Sequence, residues 1–498
     1  MADVENRIRK FTKQTWLKIQ PYIFIILMVI VIAIPLLIGG DATLAIIVSI
    51  TLVTYALIAT EKMHKTLAAL GGAISTLLAL RMTGIMPDLS EALVKFVDWE
   101  VILIIITVAI ISEIAKDSGL FDYITIKIIK KSRGEPTKLL LYLSLLMLLL
   151  SALLGDVPAF MILCTITIMV TKGLDLNPVP FIMTEIIVAN ATAMISVVAS
   201  FVNLLVAGYF NMNPAQYLSY VGFIAIGAPF ALMTMAITFL YVRRYYRKDM
   251  SRKEADKAYV EKLRKSIMTL NEKEFVKDPK FFRNSAAILI FTLALFALSS
   301  FMGIPFYLVG LIGAFAFIFM SGIDPIDAFH RVDWSLIFFL MGLFIVVGGL
   351  NETGLLAAAG GAIAALSGGS LVVLIVVISL FAGTISGFLD DVSVTTALIY
   401  VVPGIMLALG VSPSAMSQSP VLTPVLWSIM ISANLGGNLS PIGGVANIIG
   451  ITALQKAGMK QGWKQFFKVS IPLTYLFLGM TILYIVGLSA ILGWYRII

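Results

Sequence analysis

Residues 434–447 read NLGGNLSPIGGVAN, beginning and ending on asparagine. Four glycines and a proline cannot continue a stable helix. Yet the segment lies midway along an apolar stretch, 421–453, that is too long for one straight perpendicular span. Broken backbone at membrane depth is tolerated only where protein or water covers its polar groups. The freed carbonyls around Gly437, together with Asn434, Asn438, Ser440 and Asn447, offer neutral oxygen ligands suited to a hard cation such as Na⁺. The competing reading is a packing kink that brings small residues to a helix contact.

The chain around this segment is built for a lipid bilayer. Of its 498 residues, 59% are hydrophobic and 13% charged, with a mean hydropathy of +0.99. A soluble domain carries roughly 45–50% apolar and about 25% charged residues. A cytosolic enzyme and a nucleic-acid binder are therefore both excluded. The net charge of +8 marks basic loops on one membrane face rather than an acidic polymer as partner. One cysteine, Cys164, and two histidines, His64 and His330, exclude a disulfide framework and argue against a thiolate or imidazole metal site. Residues 1–20 are basic and lead into an apolar run with no small-residue cleavage site, the pattern of a retained helix. No Ser/His/Asp, His-rich or phosphate-loop constellation supports an enzyme.

Apolar runs near the roughly 20 residues a span requires fall at 22–38, 42–60, 66–82, 99–115, 220–242, 285–302, 304–321, 334–350 and 469–492. The longer stretches 179–210 and 421–453 read as broken helices, each crossing once. Two more, 137–170 and 370–409, are interrupted at Gly155, Asp156, Val157 and Pro158 and at Asp390 and Asp391. These read as re-entrant hairpins with the polar break at the tip. On that assignment 33 of the 36 Lys and Arg residues share one face, leaving Arg81, Lys95 and Arg496 opposite. The result is 11 spans and two hairpins in the cell membrane, with the N-terminus cytoplasmic.

The two halves repeat each other. Val97, Asp98 and Trp99 recur as Val332, Asp333 and Trp334, 235 residues later, as do Gly119 and Leu120 at Gly354 and Leu355, and Asp156 and Val157 at Asp391 and Val392. Farther on, Ala189, Asn190 and Asn203 match Ala433, Asn434 and Asn447 at an offset of 244. Each half makes an odd number of passes, so the second copy is inverted, an architecture of many secondary transporters with the substrate at the midplane. The expected parts are the basic segment and first helix (1–41), a first repeat (42–242), a linker (243–284) and a second repeat (285–498). The linker's mixed charge reads as a solvated helical connector.

Asp156, Asp390 and Asp391 sit in apolar surroundings where an ionised carboxylate costs several kcal/mol unless paired or hydrated. They read either as cation or proton ligands facing a wet cavity, or as N-caps, since Asp156 precedes Val157 and Asp391 precedes Val392 and Ser393. Ser393 joins this candidate set. Between Asn190 and Asn203 there is no glycine or proline. A helix there would align Thr192, Ser196 and Ser200 on one face, either lining the cavity or bonding back to i−4 carbonyls. Glu185 is placed to hold the site's geometry or to relay protons. Cys164 reads as a small core residue.

These residues resemble a known family. Phe388, Leu389, Asp390, Asp391 and Val392, with Thr395 and Thr396, are similar to the Leu-Asp-Asn-Val-Thr-Thr hairpin tip of the ion transporter superfamily. Within it the resemblance is to the arsenite-permease and NhaD-type sodium/proton antiporter group, P-protein-like and with a citrate-transporter-like domain. Pro178, Val179 and Pro180, followed by Glu185 and Asn190, resemble that group's entry to its first broken helix. Gly436 to Asn447 resembles its second glycine-rich motif, with Ser440 in place of a threonine. The first repeat departs from the pattern, having Thr192, Ala193 and Met194 where Gly-Gly-Thr would stand. The Ser-Asn-Thr tips of the sodium/dicarboxylate relatives are absent from both hairpins.

The resemblance implies an all-α, inverted-repeat secondary transporter driven by protons or Na⁺, working by sodium/proton antiport or by arsenite-type efflux. Bound Na⁺ is expected at Asp156/Asn190 and at Asp391/Asn434, with no other cofactor. The expected partners are a small inorganic ion or oxyacid and the lipid bilayer, with a homodimer left open. An ion channel of the same fold and a sodium-coupled dicarboxylate carrier are the alternatives. The charge asymmetry itself is testable. With Cys164 replaced, single cysteines at Asn213 and Lys273 should react with an impermeant thiol reagent from opposite sides; labelling of both from one side contradicts the topology.

Overall fold

The computed structural model describes residues 42–60, 63–210, 216–247, 257–269, 271–276, 278–441, 443–459 and 463–494. The span expected at 22–38, the basic segment before it and Asn213 lie outside the described residues. In the first half the helices are α1 (Ala42–Ala59), α2 (Lys65–Met82), α3 (Leu89–Phe96), α4 (Trp99–Asp117), α5 (Leu120–Lys130), α6 (Pro136–Leu154), α7 (Asp156–Gly173), α8 (Val179–Thr192), α9 (Phe201–Tyr209) and α10 (Tyr220–Tyr245). The linker contributes α11 (Lys257–Met268). The second half follows with α12 (Pro279–Met302), α13 (Phe306–Ser321), α14 (Pro325–His330), α15 (Trp334–Glu352), α16 (Leu355–Leu366), α17 (Leu371–Leu389), α18 (Asp391–Ala408), α19 (Leu422–Gly436), α20 (Val445–Lys456) and α21 (Trp463–Leu492). Helices α12 to α21 thus repeat α1 to α10 in order. Eight helices among the described residues are long and apolar enough to cross a membrane: α6, α7, α10, α12, α15, α17, α18 and α21.

The compact units do not coincide with the repeats. One unit joins the residues up to Asp98 with Trp334–Ala359. In it, α15 of the second repeat lies on α2 of the first. Close approach is allowed by small residues: a Cβ on Gly342 would stand 2.7 Å from the Ala69 carbonyl carbon. Thr66 Oγ1 donates to the Ser335 carbonyl (2.8 Å), and Lys95 pairs with Glu352 (2.8 Å).

The second unit, Trp99–Asp333 with Gly360–Ile498, contains the converse exchange. There α13 of the second repeat lies on α4 of the first, with Gly310 against Thr107. Arg331 pairs with Asp117. Asp117 is the repeat equivalent of Glu352 at the offset of 235, and Arg331 lies one residue past the equivalent of Lys95. Each swapped helix pair is therefore clasped by a basic–acidic pair at nearly matching positions of the halves.

At the centre of the second unit lie α8 and α19, in which every residue is buried. A helix apolar on all sides belongs in such a place. The hairpins α6–α7 and α17–α18 pack around them, together with α10 and α21. The linker is not merely solvated. Tyr259 Oη donates to the Leu174 carbonyl (2.7 Å), Lys130 pairs with Glu272, and α11 lies so close to Gly134 that a Cβ there would meet the Arg264 amide at 2.6 Å.

Candidate functional site

Both long apolar stretches break at the same place in their repeats. Helix α19 ends at Gly436, makes one 3₁₀ turn over Gly437–Leu439 and resumes as α20 at Val445. Helix α8 ends at Thr192, makes two 3₁₀ turns over Ala193–Ile195 and Val197–Ala199, and resumes as α9 at Phe201. The extended residues between correspond closely. Ser440 has φ −136°, ψ 160° and Ser196 has −145°, 161°; Gly444 has −152°, 147° and Ser200 has −150°, 147°.

The aligned stripe that a helix over 190–203 would give does not form. Extended φ values are open to any residue, so the first break needs no glycine. Thr192 Oγ1 bonds back to the Val188 carbonyl (2.7 Å), and Ser200 caps α9 by accepting from the Val202 amide (3.2 Å).

Asparagines hold both breaks open. Asn203 Nδ2 donates to the carbonyls of Ala193 (2.7 Å) and Ser196 (2.8 Å); Asn447 Nδ2 donates to those of Gly437 (2.7 Å) and Ser440 (2.8 Å). Carbonyls freed by the break are thus taken up by side-chain amides, the accounting that a buried backbone demands. Those four carbonyls serve the fold before they serve any ligand.

The other asparagines cross between repeats. Asn190 Nδ2 donates to Asn438 Oδ1 (2.9 Å) and Asn447 Oδ1 (3.1 Å), and Asn438 Nδ2 returns to the Ile187 carbonyl (3.2 Å). In mirror fashion Asn434 Nδ2 donates to Asn203 Oδ1 (3.2 Å), while Asn434 Oδ1 accepts from Ser200 Oγ (2.7 Å). Asn190, Asn203, Asn434, Asn438 and Asn447 are all buried. No Lys or Arg joins this network among the described residues.

Each hairpin abuts its own break. Ser196 Oγ donates to the Ala152 carbonyl (2.9 Å), and Ser440 Oγ to the Gly387 carbonyl, its repeat equivalent. Gly155 lies against the Val198 carbonyl, 3.4 Å from where its Cβ would be. The tip aspartates, however, are not hydrogen-bonded to the asparagines. Asn190 and Asn434 reach across to the other repeat instead.

The capping assignment also shifts by one residue. Asp390, not Asp391, is the N-cap of α18, with Oδ1 accepting from the amides of Val392 (2.9 Å) and Ser393 (3.4 Å). Asp391 and Asp156 are first helical residues, each accepting from the next amide, at 2.9 and 2.7 Å. Asp156 is buried, whereas Asp390 and Asp391 are half-buried. Gly155 and Asp390 share one conformation (φ 91°, ψ 160° and φ 79°, ψ 141°), a region that glycine enters freely and aspartate enters under strain.

Ser196 and Ser200, expected as part of a helical stripe, and Ser386, which the sequence reading did not single out, belong to this architecture. Ser196 and Ser200 link the first break to its hairpin and to Asn434, and Ser386 Oγ donates to the Ala433 carbonyl (2.7 Å). The offsets of 244 between Ser196 and Ser440 and of 235 between Ser151 and Ser386 were the available signals.

Proteins of similar sequence and fold are known. The profile of the citrate transporter family matches residues 55–419. The chain belongs to the citrate transporter family. It is a multi-pass membrane transporter of that family. A 46 kDa membrane protein of Mycobacterium leprae is 26% identical over 445 residues, covering 88% of this chain and 97% of its own length. An uncharacterized transporter of Mycobacterium tuberculosis is also 26% identical, over 438 residues, with the same coverage of 88% and 97%. The human P protein is 23% identical and matches 88% of this chain with 59% of its own length. The solved structure of the Alcanivorax borkumensis YdaH transporter, described as having an unusual topology, superposes with a TM-score of 0.56 at 15% identity, covering 81% of this chain and 88% of that one. That likeness is one of fold.

For this member of the citrate transporter family, the asparagine geometry makes a stability prediction. Asn447→Asp keeps the side-chain shape but removes the amide hydrogens that the Gly437 and Ser440 carbonyls accept, leaving Ser440 with the Gly443 amide at 3.2 Å. Each lost bond is worth about 0.5–1.5 kcal/mol, so the thermal midpoint in detergent should fall below wild type. An unchanged midpoint would show that Asn447 does not hold the break.

Proposed function

We propose that the crossed breaks of α8–α9 and α19–α20 form the transport site of an ion-coupled secondary active transporter that moves a small cation or a neutral oxyacid. Sodium/proton antiport and arsenite-type efflux are the two forms of this reading. One observation carries it: five buried asparagines and the 3₁₀ ends of two helices converge from both repeats in a network free of Lys and Arg among the described residues. Amide and carbonyl oxygens suit a hard cation or a hydrogen-bonding neutral solute. Arg is over-represented where a carboxylate is held bidentately, and this network contains no Lys or Arg among the described residues. The family's name is therefore weaker support for citrate as cargo than the chemistry of the breaks is for a cation or neutral species.

Asp390 and Asp391, at the mouth of α18, are the groups proposed to couple a proton or Na⁺ to that movement, with Asp156 as the first repeat's carboxylate. Gly437, Asn438 and Ser440 of the second break and Asn190, Thr192 and Asn203 of the first are the groups proposed to receive the cargo, with Ser393 beside Asp390 at the start of α18. Because Asp390 caps α18, its replacement by asparagine retains an accepting oxygen and tests charge apart from structure.

Purified protein in liposomes, given Na⁺, Li⁺, arsenite or citrate under an imposed pH gradient, is expected to concentrate one of the first three. Mere equilibration would favour a channel, and accumulation of citrate would overturn the assignment of cargo. Asp390→Asn and Asp391→Asn should stay folded and lose gradient-driven uptake. Wild-type rate and pH profile in both variants would remove the pair from the coupling role.

A further inference from the structure

Glu185 sits near the middle of α8 with no solvent exposure (0%). Its Oε1 accepts a hydrogen bond from Thr167 Oγ1 on α7. Its Oε2 is buried with no hydrogen-bond partner among the described residues. No Lys or Arg pairs with it there. Charged groups on the helices packed against α8 lie at helix ends: Lys138 on α6, Asp156 and Lys172 on α7, Arg243 and Arg244 on α10, Lys456 on α20. The titratable group facing Glu185 is Cys164, one turn before Thr167 on α7. An ionised carboxylate so enclosed is costly without a counter-charge, and a carboxyl oxygen left without a partner is the place where a proton sits.

The second repeat shows that the fold does not require this arrangement. At the offset of 244 the equivalent of Glu185 is Ile429; at 235 the equivalents of Thr167 and Cys164 are Val402 and Ile399. All three are buried. The same helix crossing is thus filled by Ile, Val and Ile in one repeat and by Glu, Thr and Cys in the other. Apolar packing suffices to build it. A polar trio kept at the quasi-equivalent position serves something other than packing.

We propose that Glu185, with Thr167, is a proton-binding site of the first repeat, separate from the asparagine network, that takes up and releases one proton in each transport cycle. The proton bonds to Oε2 of the carboxylate to give the neutral acid, while Thr167 continues to donate to Oε1; release restores the carboxylate and returns the proton to water. The proposal rests on the reading of the chain as an ion-coupled transporter, and it assigns the coupling to a residue buried in α8 in addition to the hairpin tip.

Infrared difference spectroscopy of the purified full chain, titrated with acid and base, tests proton binding without any cargo. Wild type should show a buried protonated-carboxyl band that titrates, and E185Q should lack it. Thr167→Val, which removes the donor that favours the ionised form, should move the midpoint to higher pH. A wild-type spectrum unchanged by E185Q would overturn the proposal. The double variant E185I/T167V copies two of the three second-repeat residues and should fold with wild-type thermal stability while losing pH-gradient-driven uptake of Na⁺ and arsenite in liposomes. A variant that fails to fold would assign Glu185 a structural role, and one that retains gradient-driven uptake would remove it from coupling; either result contradicts the proposal. Should wild type itself transport neither probe, the functional reading falls while the infrared result still decides whether Glu185 binds a proton.

Discussion

Two amide side chains, Asn190 and Asn434, reach from one repeat into the broken helix of the other, and the rest of the second unit is arranged around them. Inside a bilayer every backbone group left by a broken helix must find a partner within the protein. Here the partners come in two tiers. Asn203 and Asn447 take up the carbonyls of their own breaks, and their own oxygens then accept from Asn434 and Asn190. The oxygens of Asn203 and Asn447 are therefore satisfied only when the other repeat is in place. Such networks in low-dielectric surroundings are costly when half complete, which ties the two repeats into one cooperative element.

On this symmetric frame the chemistry is asymmetric. The hairpin tips have the same backbone, yet one carries Gly155 and the other a strained Asp390 whose carboxylate caps α18. The crossing of α7 with α8 holds Glu185 and Thr167, where the crossing of α18 with α19 holds Ile429 and Val402. Ser386 donates to the Ala433 carbonyl, while Ser151 Oγ, its equivalent, has no hydrogen-bond partner among the described residues. The recurrence of residues at fixed offsets accounts for the shared scaffold; the differences mark where each half has its own task. Asp156 and Asp391 stand at equivalent positions of the two tips, whereas Asp390 and Glu185 have Gly155 and Ile429 as their equivalents.

Much of the fold was legible because membrane burial writes itself into the sequence. The hairpins, the two broken stretches and their repeat offsets follow from apolar run length and from Asp156/Asp391 and Asn190/Asn434 recurring in order. What was not legible depended on tertiary partners. The break after Thr192 carries no glycine or proline, since extended Ser196 and Ser200 and the amide of Asn203 suffice to open it. The exchange of α2 and α15 between repeats was invisible, because small residues at a helix face do not say which helix will meet them. The cap fell on Asp390 rather than Asp391 because the tip turns one residue earlier, at a positive φ that local sequence rules would reserve for glycine.

The account stands on the coupling between the two breaks, and a double-mutant cycle measures it directly. Asn190→Ala, Asn447→Ala and the double variant, compared by unfolding in detergent, should show an interaction energy of about 0.5–3 kcal/mol, since either single change already strands the other side chain's oxygen or amide. Additive effects would contradict the claim that the repeats are joined through these amides.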